Sequence, residues 1–541
     1  MIQSLYDLSD EDVISLAKQN DEEIIDVCRN SETMLKVFGA NDEKKNKTGF
    51  QKCLNIYPEL LADPYTKATL RDLKESLEKD LWAAKFKLDC KYTFVLPDFY
   101  AVCESMFMGI ENPTGLLADG EVSCKLFEDG KELDCLRSPH LFFEHSLRKN
   151  VTFVGNLNKN ERIEDWFCTD AIYTSCHDCI SKILQFDVDG DKLLVVDNRT
   201  IINAVKRLRG DIVPLFYNMA KAGAVEVTPD HIYDGLIAAY TGGNIGEISN
   251  AITKIWNSGE ITEEKIRVMK WLCMQNNFTI DYAKTLYKPE EPDWVHDLIL
   301  KYTRCKVPAF FKYAKNKNDD QIAELNDSTV NKIYRLFPPK RYRLNFKNTI
   351  KGKFDCKLLL HNQQAVCHQD VVDKFIKLTS TLKFNSVDAN NCPNYFAVFD
   401  NVKAEMRKMP YDDNVILDSL IIYLFDTRKN SKKRAFWMIY GDEVYDNLKN
   451  NIDSKSTICP TCGNRFIKTR SDQKYCCVEC RRKLKTKNII CIDCGKEITT
   501  TRLATTKVRC DECAKKRRRE LARINYQKRK NSSIPLQLEK P

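Results

Sequence analysis

The stretch FDVDGDKLLVV, residues 186 to 196, places the carboxylates of Asp187, Asp189 and Asp191 within five positions around Gly190. Carboxylates this close repel one another and raise each other's pKa unless a cation lies among them. Residues two apart in extended chain face the same side, and a glycine lets the backbone turn tightly, so the three are expected to converge on a hard cation. Mg2+ suits the set because it takes a few carboxylates and keeps positions for phosphate oxygens. A calcium EF-hand is excluded: it needs glycine at loop position six and glutamate at position twelve, where counting from Asp187 gives Lys192 and Asn198. The bland alternative is a solvated acidic turn.

A second chemistry lies near the C-terminal end, which holds nine of the 23 cysteines. Cys459 and Cys462 are followed after thirteen residues by Cys476 and Cys480, with Cys477 able to replace Cys476. Cys491 and Cys494 are followed after fifteen residues by Cys510 and Cys513. Paired thiolates two residues apart, twice over, predict two closed four-cysteine Zn2+ sites of the structural kind. The sequence CHDC (Cys176, His177, Cys179) also looks like a knuckle but lacks a partner pair, and a structural role is expected for it.

These residues need elements to hold them. Residues 1–82 read as helices, from capping signals in LSDEDVISLAKQ and apolar periodicity in LRDLKESLEKDLWAAKF. Residues 83–200 carry short strand-like runs, YTFVL, EVSCKLF, VTFVG, KILQF and KLLVV, which puts the aspartates on a turn between two buried strands. Residues 201–300 are helical again, 301–450 read as a mixed α/β region, and 451–487 and 488–514 are the two zinc modules. The basic tail, 515–541, is expected to be a helix or a disordered arm.

At 541 residues, 43% hydrophobic and 30% charged, the chain is globular and too long for one core. It holds no apolar run of the roughly 20 residues that cross a bilayer and no export signal, which predicts a soluble protein of the cytoplasm with reduced cysteines. The net charge of +9 is uneven: residues 481–541 carry 19 Lys and Arg against 6 Asp and Glu, leaving −4 for the rest. A concentrated basic block favours a polyanion such as nucleic acid.

Asp187-Val-Asp189-Gly-Asp191 resembles the Asp-x-Asp-Gly-Asp signature of the RNA polymerases built on two double-psi β-barrels: the RNA-silencing RNA-dependent enzymes, the multisubunit large subunits and single-chain bacteriophage polymerases. The likeness extends in order. LPDFYAVCESMFMGIENPTGLLADGEV resembles the segment that opens the second barrel, and LRSPHLFFEH resembles the Arg-x-Pro motif about fifty residues before the aspartates, with Arg137 in the arginine position. NIGEISNAITKIW and IDYAKT, which holds Asp281 and Lys284, resemble helical segments that follow the barrel.

The resemblance implies an α+β chain with a double-psi β-barrel core, catalytic Mg2+ on Asp187, Asp189 and Asp191, and Arg137 near the substrate. It implies a nucleotidyltransferase that adds ribonucleotides to an RNA 3′ end on an RNA or DNA template, in a bacterial or phage-infected cell. The family's first barrel is not readable in the 80 or so residues before the second, nor clearly in 301–450, so a split enzyme with a second chain carrying it, or a truncated one, is expected ahead of a divergent barrel that the sequence pattern does not reveal. The competing class is a non-catalytic, zinc-dependent nucleic-acid-binding protein on a degenerate barrel.

Overall fold

The computed structural model describes residues 1–153, 163–208, 224, 226–241, 243–285, 287–338, 342–349, 353–380, 395–426, 431–468, 472–483, 486–501 and 508–531. The chain divides into two compact units, Met1–Gly39 with Thr66–Lys351, and Ala40–Tyr65 with Gly352–Pro541. No described helix is long and apolar enough to cross a membrane.

The first unit is built on six strands: β1 (Cys90–Pro97), β2 (Glu121–Ser123), β3 (Glu132–Arg137), β4 (Ser146–Asn150), β5 (Ile172–Thr174) and β6 (Lys192–Val196). They close into a barrel in the order β1-β5-β2-β4-β3-β6. The β1–β5 and β2–β4 pairs are parallel and the others antiparallel. Alternation along β6 sorts its side chains: Leu193 and Val195 enter a core with Val95, Val122, Leu133, Cys135 and Ile172, whereas Leu194 and Val196 pack outward against Leu5, Leu8, Val13 and Leu16 of the N-terminal segment. Closure leaves no free sheet edge, which lets strands of three to eight residues persist.

Two buried side chains stitch the barrel's long connections. Asp98, 1% exposed, caps the helix Phe99–Met108 by accepting from Tyr100 and Ala101 amides, and its other oxygen accepts from the amides of Leu116 and Leu117. Gly115 has φ +63°, and a β-carbon there would stand 2.6 Å from Asp98 Oδ2, so the approach requires glycine. Asn150 accepts from the Cys124 amide and donates to the carbonyls of Cys124, Phe127 and Glu128.

Three expectations change here. KILQF is not a strand: Ile180–Leu184 is one helical turn whose Ile180, Ile183 and Leu184 share a face and plug the barrel core. EVSCKLF supplies only the three residues of β2, and VTFVG begins where β4 ends, with 154 and 155 outside the described residues. Residues 301–450 form helices among the described residues apart from one isolated bridge, Val307 to Ile322, because their apolar positions recur at three and four, as with Val371, Val372, Phe375 and Thr379 on Gln369–Ser380.

In the second unit the helices Gly49–Ile56 and Lys433–Lys455 cross at Gly49 and Gly441, where a β-carbon on Gly49 would lie 2.0 Å from the Gly441 carbonyl carbon. Lys433 and Asp63, each 1% exposed, form an ion pair of 2.6 Å beneath the ring of Phe425. Two small antiparallel hairpins follow, Ser456–Ile458 with Arg465–Ile467 and Thr486–Ile490 with Glu497–Thr501, and then the basic helix Asp511–Asn531.

Candidate active site and metal centres

The aspartates occupy the link between the helical plug and β6. The plug ends at Gln185 in a left-handed conformation (φ +56°), and Gly190 has φ +135°, a region only glycine enters without strain. Asp187 and Asp189 are exposed, whereas Asp191 is half-buried. The Asp191 carbonyl accepts from the Val95 amide at 3.0 Å, tying the loop to β1.

Asp191 Oδ2 receives two donors, the Asp187 amide at 3.0 Å and Arg137 Nη2 at 2.9 Å. Arg137 Nη1 also donates to the Gln185 carbonyl, so one guanidinium at the end of β3 holds both ends of the loop. The structure thus brings Arg137 and Asp191 together as neighbours on adjacent strands, since β3 pairs with β6 and sets Arg137 opposite Leu193. It does not draw the three carboxylates to a point: among the described residues, only the two cysteine quartets place three or more ligand atoms within 4.8 Å of one another. The reason lies in the partners: Asp191 turns to its cation and to the Asp187 amide, while Asp187 and Asp189 face water and repel one another.

Two contributors had no sequence signal. Asn277, on the helix Glu263–Thr285, donates to Gln185 Oε1 at 2.7 Å, fixing the loop's hinge to an element 92 residues away. Asp281 lies one turn further along that helix. Arg148, 8% exposed in its side chain, grips Asp178 through both Nε and Nη2, and this pair holds the CHDC turn against β4. His177 meets the Thr114 carbonyl at 3.0 Å, so CHDC is a structural turn rather than a knuckle. Lys85 and Lys87, near the barrel entry, are paired with Asp80 and Glu23.

A Ser4–His145–Asp134 chain has the order of a hydrolytic triad, with Nδ1 to Asp134 at 2.7 Å and Nε2 to Ser4 at 3.2 Å. All three residues are at most 3% exposed, which shuts out substrate and leaves a brace.

The cysteines converge as the spacing predicts. Cys459, Cys462, Cys476 and Cys480 form one group, and Cys491, Cys494, Cys510 and Cys513 the other. A tetrahedral site with 2.3 Å arms spaces its sulfurs by about 3.8 Å. Observed separations are 3.5 Å for Cys462–Cys476, 3.4 Å for Cys476–Cys480 and 3.8 Å for Cys494–Cys510, so both quartets fit zinc. Cys476 is the third member of the first quartet; Cys477 instead accepts the Cys480 amide through sulfur at 3.4 Å. Each first knuckle closes identically, the glycine amide (Gly463 or Gly495) donating to the first cysteine's carbonyl at 2.9 Å, and both glycines have positive φ. Donation from the Cys510 amide helps hold the Cys491 thiol down to about 6, the thiolate state a metal needs.

No protein-family model matches the sequence. The chain is similar to the DNA-directed RNA polymerase YonO of Bacillus phage SPbeta, with 42% identity over 478 residues; the match covers 88% of this chain and 55% of that protein, so the chain spans about half the length of the relative.

Proposed function

We propose that this chain carries the catalytic loop of a template-dependent RNA polymerase that joins ribonucleotides to an RNA 3′ end. The observation that supports it best is a closed six-stranded barrel presenting Asp187, Asp189 and Asp191 beside Arg137, in a chain similar to a phage DNA-directed RNA polymerase. That relative's name favours a DNA template over RNA. The donor set, three carboxylates with no soft ligand, fits Mg2+, and the barrel is read as the second double-psi barrel of a two-barrel enzyme. Bound there, Mg2+ would lower the pKa of the 3′-hydroxyl and neutralise charge on the departing pyrophosphate.

The protein's own residues do the positioning. Arg137 holds Asp191 and the Gln185 carbonyl, so the loop keeps one shape as nucleotides arrive and leave, and its fork also suits a phosphate or sugar oxygen pair. The cysteine quartets act as structural zinc sites that present the basic helix Asp511–Asn531 to nucleic acid. Among the described residues there is one closed barrel, so the first barrel is assigned to a second chain or to further sequence. The setting proposed is the cytoplasm of a phage-infected bacterial cell.

The test combines the purified chain, a DNA or RNA template, four ribonucleotides and Mg2+, with and without a polypeptide supplying the other half of the relative. The expected result is RNA synthesis in the complemented reaction and a loss of at least a thousand-fold in Asp189→Asn. The separation of the three carboxylates favours one other reading, a non-catalytic nucleic-acid platform. Template binding that Asp189→Asn leaves unchanged, with no synthesis in any combination, would select it.

A further inference from the structure

Alternation along β1 turns Val95 into the barrel core and leaves Tyr92 and Phe94 on the outer face. Their ladder partners on β6 are Leu194 and Lys192, so this face runs across two adjacent strands. One end of it is covered, because Cys90, Leu194 and Val196 pack against Leu5, Leu8 and Leu16 of the N-terminal segment. The end beside the aspartate loop is bare: Tyr92 is 61% exposed and Phe94 49%. Neither ring packs on another aromatic ring among the described residues, so their surface is open to a partner. Scattered exposed rings are ordinary, but two side by side on one sheet face are the kind of patch that marks a binding surface.

Lys192 adds a charge to this patch. Its Nζ lies over the Phe94 ring at 4.3 Å from the centroid and stands 5.7 Å from that of Tyr92, and it pairs with no carboxylate among the described residues. Attraction to the rings holds the ammonium against them, which leaves Tyr92, the more exposed ring, as the freer stacking face. A partner that fits must bring a flat π-face and an anion together. A nucleotide does both, its base stacking on an aromatic ring while its phosphate meets a cation. The position of the patch selects the strand. Lys192 follows Asp191 in the chain, and the Val95 amide, next to Phe94, donates to the Asp191 carbonyl at 3.0 Å, so the patch adjoins the loop proposed to act on an RNA 3′ end.

On the polymerase reading of that loop, on which the identity of the strand rests, we propose that Tyr92, Phe94 and Lys192 hold an unpaired base at the 3′ end of the growing RNA. Tyr92 stacks the base, Phe94 walls it, and Lys192 meets its phosphate. A 3′ end that has come off the template is thereby kept beside the aspartates instead of being lost to solvent.

The test uses the full, zinc-loaded chain with an RNA primer annealed to a DNA template. One arm carries 5-iodouridine mismatched at the RNA 3′ end; the other carries 5-iododeoxyuridine in the unpaired template beyond it. Long-wave ultraviolet light joins an iodinated base to an aromatic ring it stacks on, and peptide mass spectrometry places the bond. The expected result is a crosslink from the RNA 3′ base to Tyr92 or Phe94, reduced at least five-fold in Lys192→Gln and absent from the Tyr92→Ser, Phe94→Ser double variant. Those rings are exposed, so the double variant should melt at the wild-type temperature; if it does not, the map on the unmodified chain decides alone. Crosslinks confined to other residues, or formed at the patch by the template label instead, overturn the proposal. A double variant that fails to assemble with the complementing polypeptide, with no RNA crosslink in the wild type, makes the patch a protein interface. The map needs no synthesis: RNA synthesis without the crosslink refutes the patch alone, and the crosslink without synthesis in any complemented reaction refutes the polymerase reading alone.

Discussion

Replacing Arg137 by alanine should tighten divalent-cation binding at the barrel loop while impairing catalysis. Arg137 Nη2 stands 2.9 Å from Asp191 Oδ2, one of the two oxygens this carboxylate could offer a metal. An ion bound to that oxygen at about 2.1 Å would lie roughly 4–5 Å from the guanidinium. At a water-like dielectric, the repulsion between a divalent and a unit charge at that distance is about 1–2 kcal/mol. Removing the arginine also removes an orienting contact, worth about 0.5–1 kcal/mol after allowance for the 26% exposure of both side chains. The balance is roughly a three- to ten-fold gain in affinity, whereas Arg137→Lys, which keeps the charge, should bind as the wild type does. Mn2+ titration of the zinc-loaded chain, followed by the paramagnetic signal of free ion, measures this directly. RNA synthesis should meanwhile fall at least ten-fold in Arg137→Ala, because Gln185 loses the donor that anchors the loop's start. Weaker Mn2+ binding in Arg137→Ala would refute the reasoning, since the arginine would then be preparing Asp191 for metal rather than competing for it.

Elemental analysis should find two zinc ions per chain, and Cys494→Ser should reduce this to one while leaving the Cys459–Cys480 quartet loaded. Gly49→Ala forces a β-carbon to 2.0 Å from Gly441 backbone, which no side-chain motion can relieve, so the second unit should lose about 3 kcal/mol or fail to fold, as judged by urea denaturation. His140, facing Glu144 at 4.0 Å and the His145 ring at 4.8 Å, is held neutral with its pKa well below the ordinary 6.5, chiefly by burial. The unfolded chain then binds a proton that the folded one refuses, so stability falls as pH drops below about 6.5, by up to ~1.4 kcal/mol per unit. Chemical denaturation between pH 7.5 and 6 should show that slope shrinking in His140→Phe; an unchanged slope assigns it elsewhere.

The cysteine quartets could be read in the sequence because their donors come in close pairs, and covalent spacing alone brings Cys459 near Cys462; the same nearness did not bring the three aspartates to a point, because Asp191 turns to Arg137. Capping signals and apolar periodicity likewise marked the N-terminal helices, since both are local. Short apolar runs were ambiguous: KILQF has strand-forming composition, yet the closed end of the barrel needed a plug, and Ile180, Ile183 and Leu184 at helical spacing filled it. The choice of Cys476 over Cys477 turned on which sulfur the folded hairpin presents to its quartet, a distance that adjacency in sequence leaves open. Residue types and spacing by themselves marked the eight cysteines whose two quartets could hold zinc. Tertiary structure decided that the β3–β6 register sets Arg137 beside Asp191 and that Asn277 pins Gln185. Those contacts join residues brought together by strand register and helix packing, which depend on the whole core rather than on any local pattern.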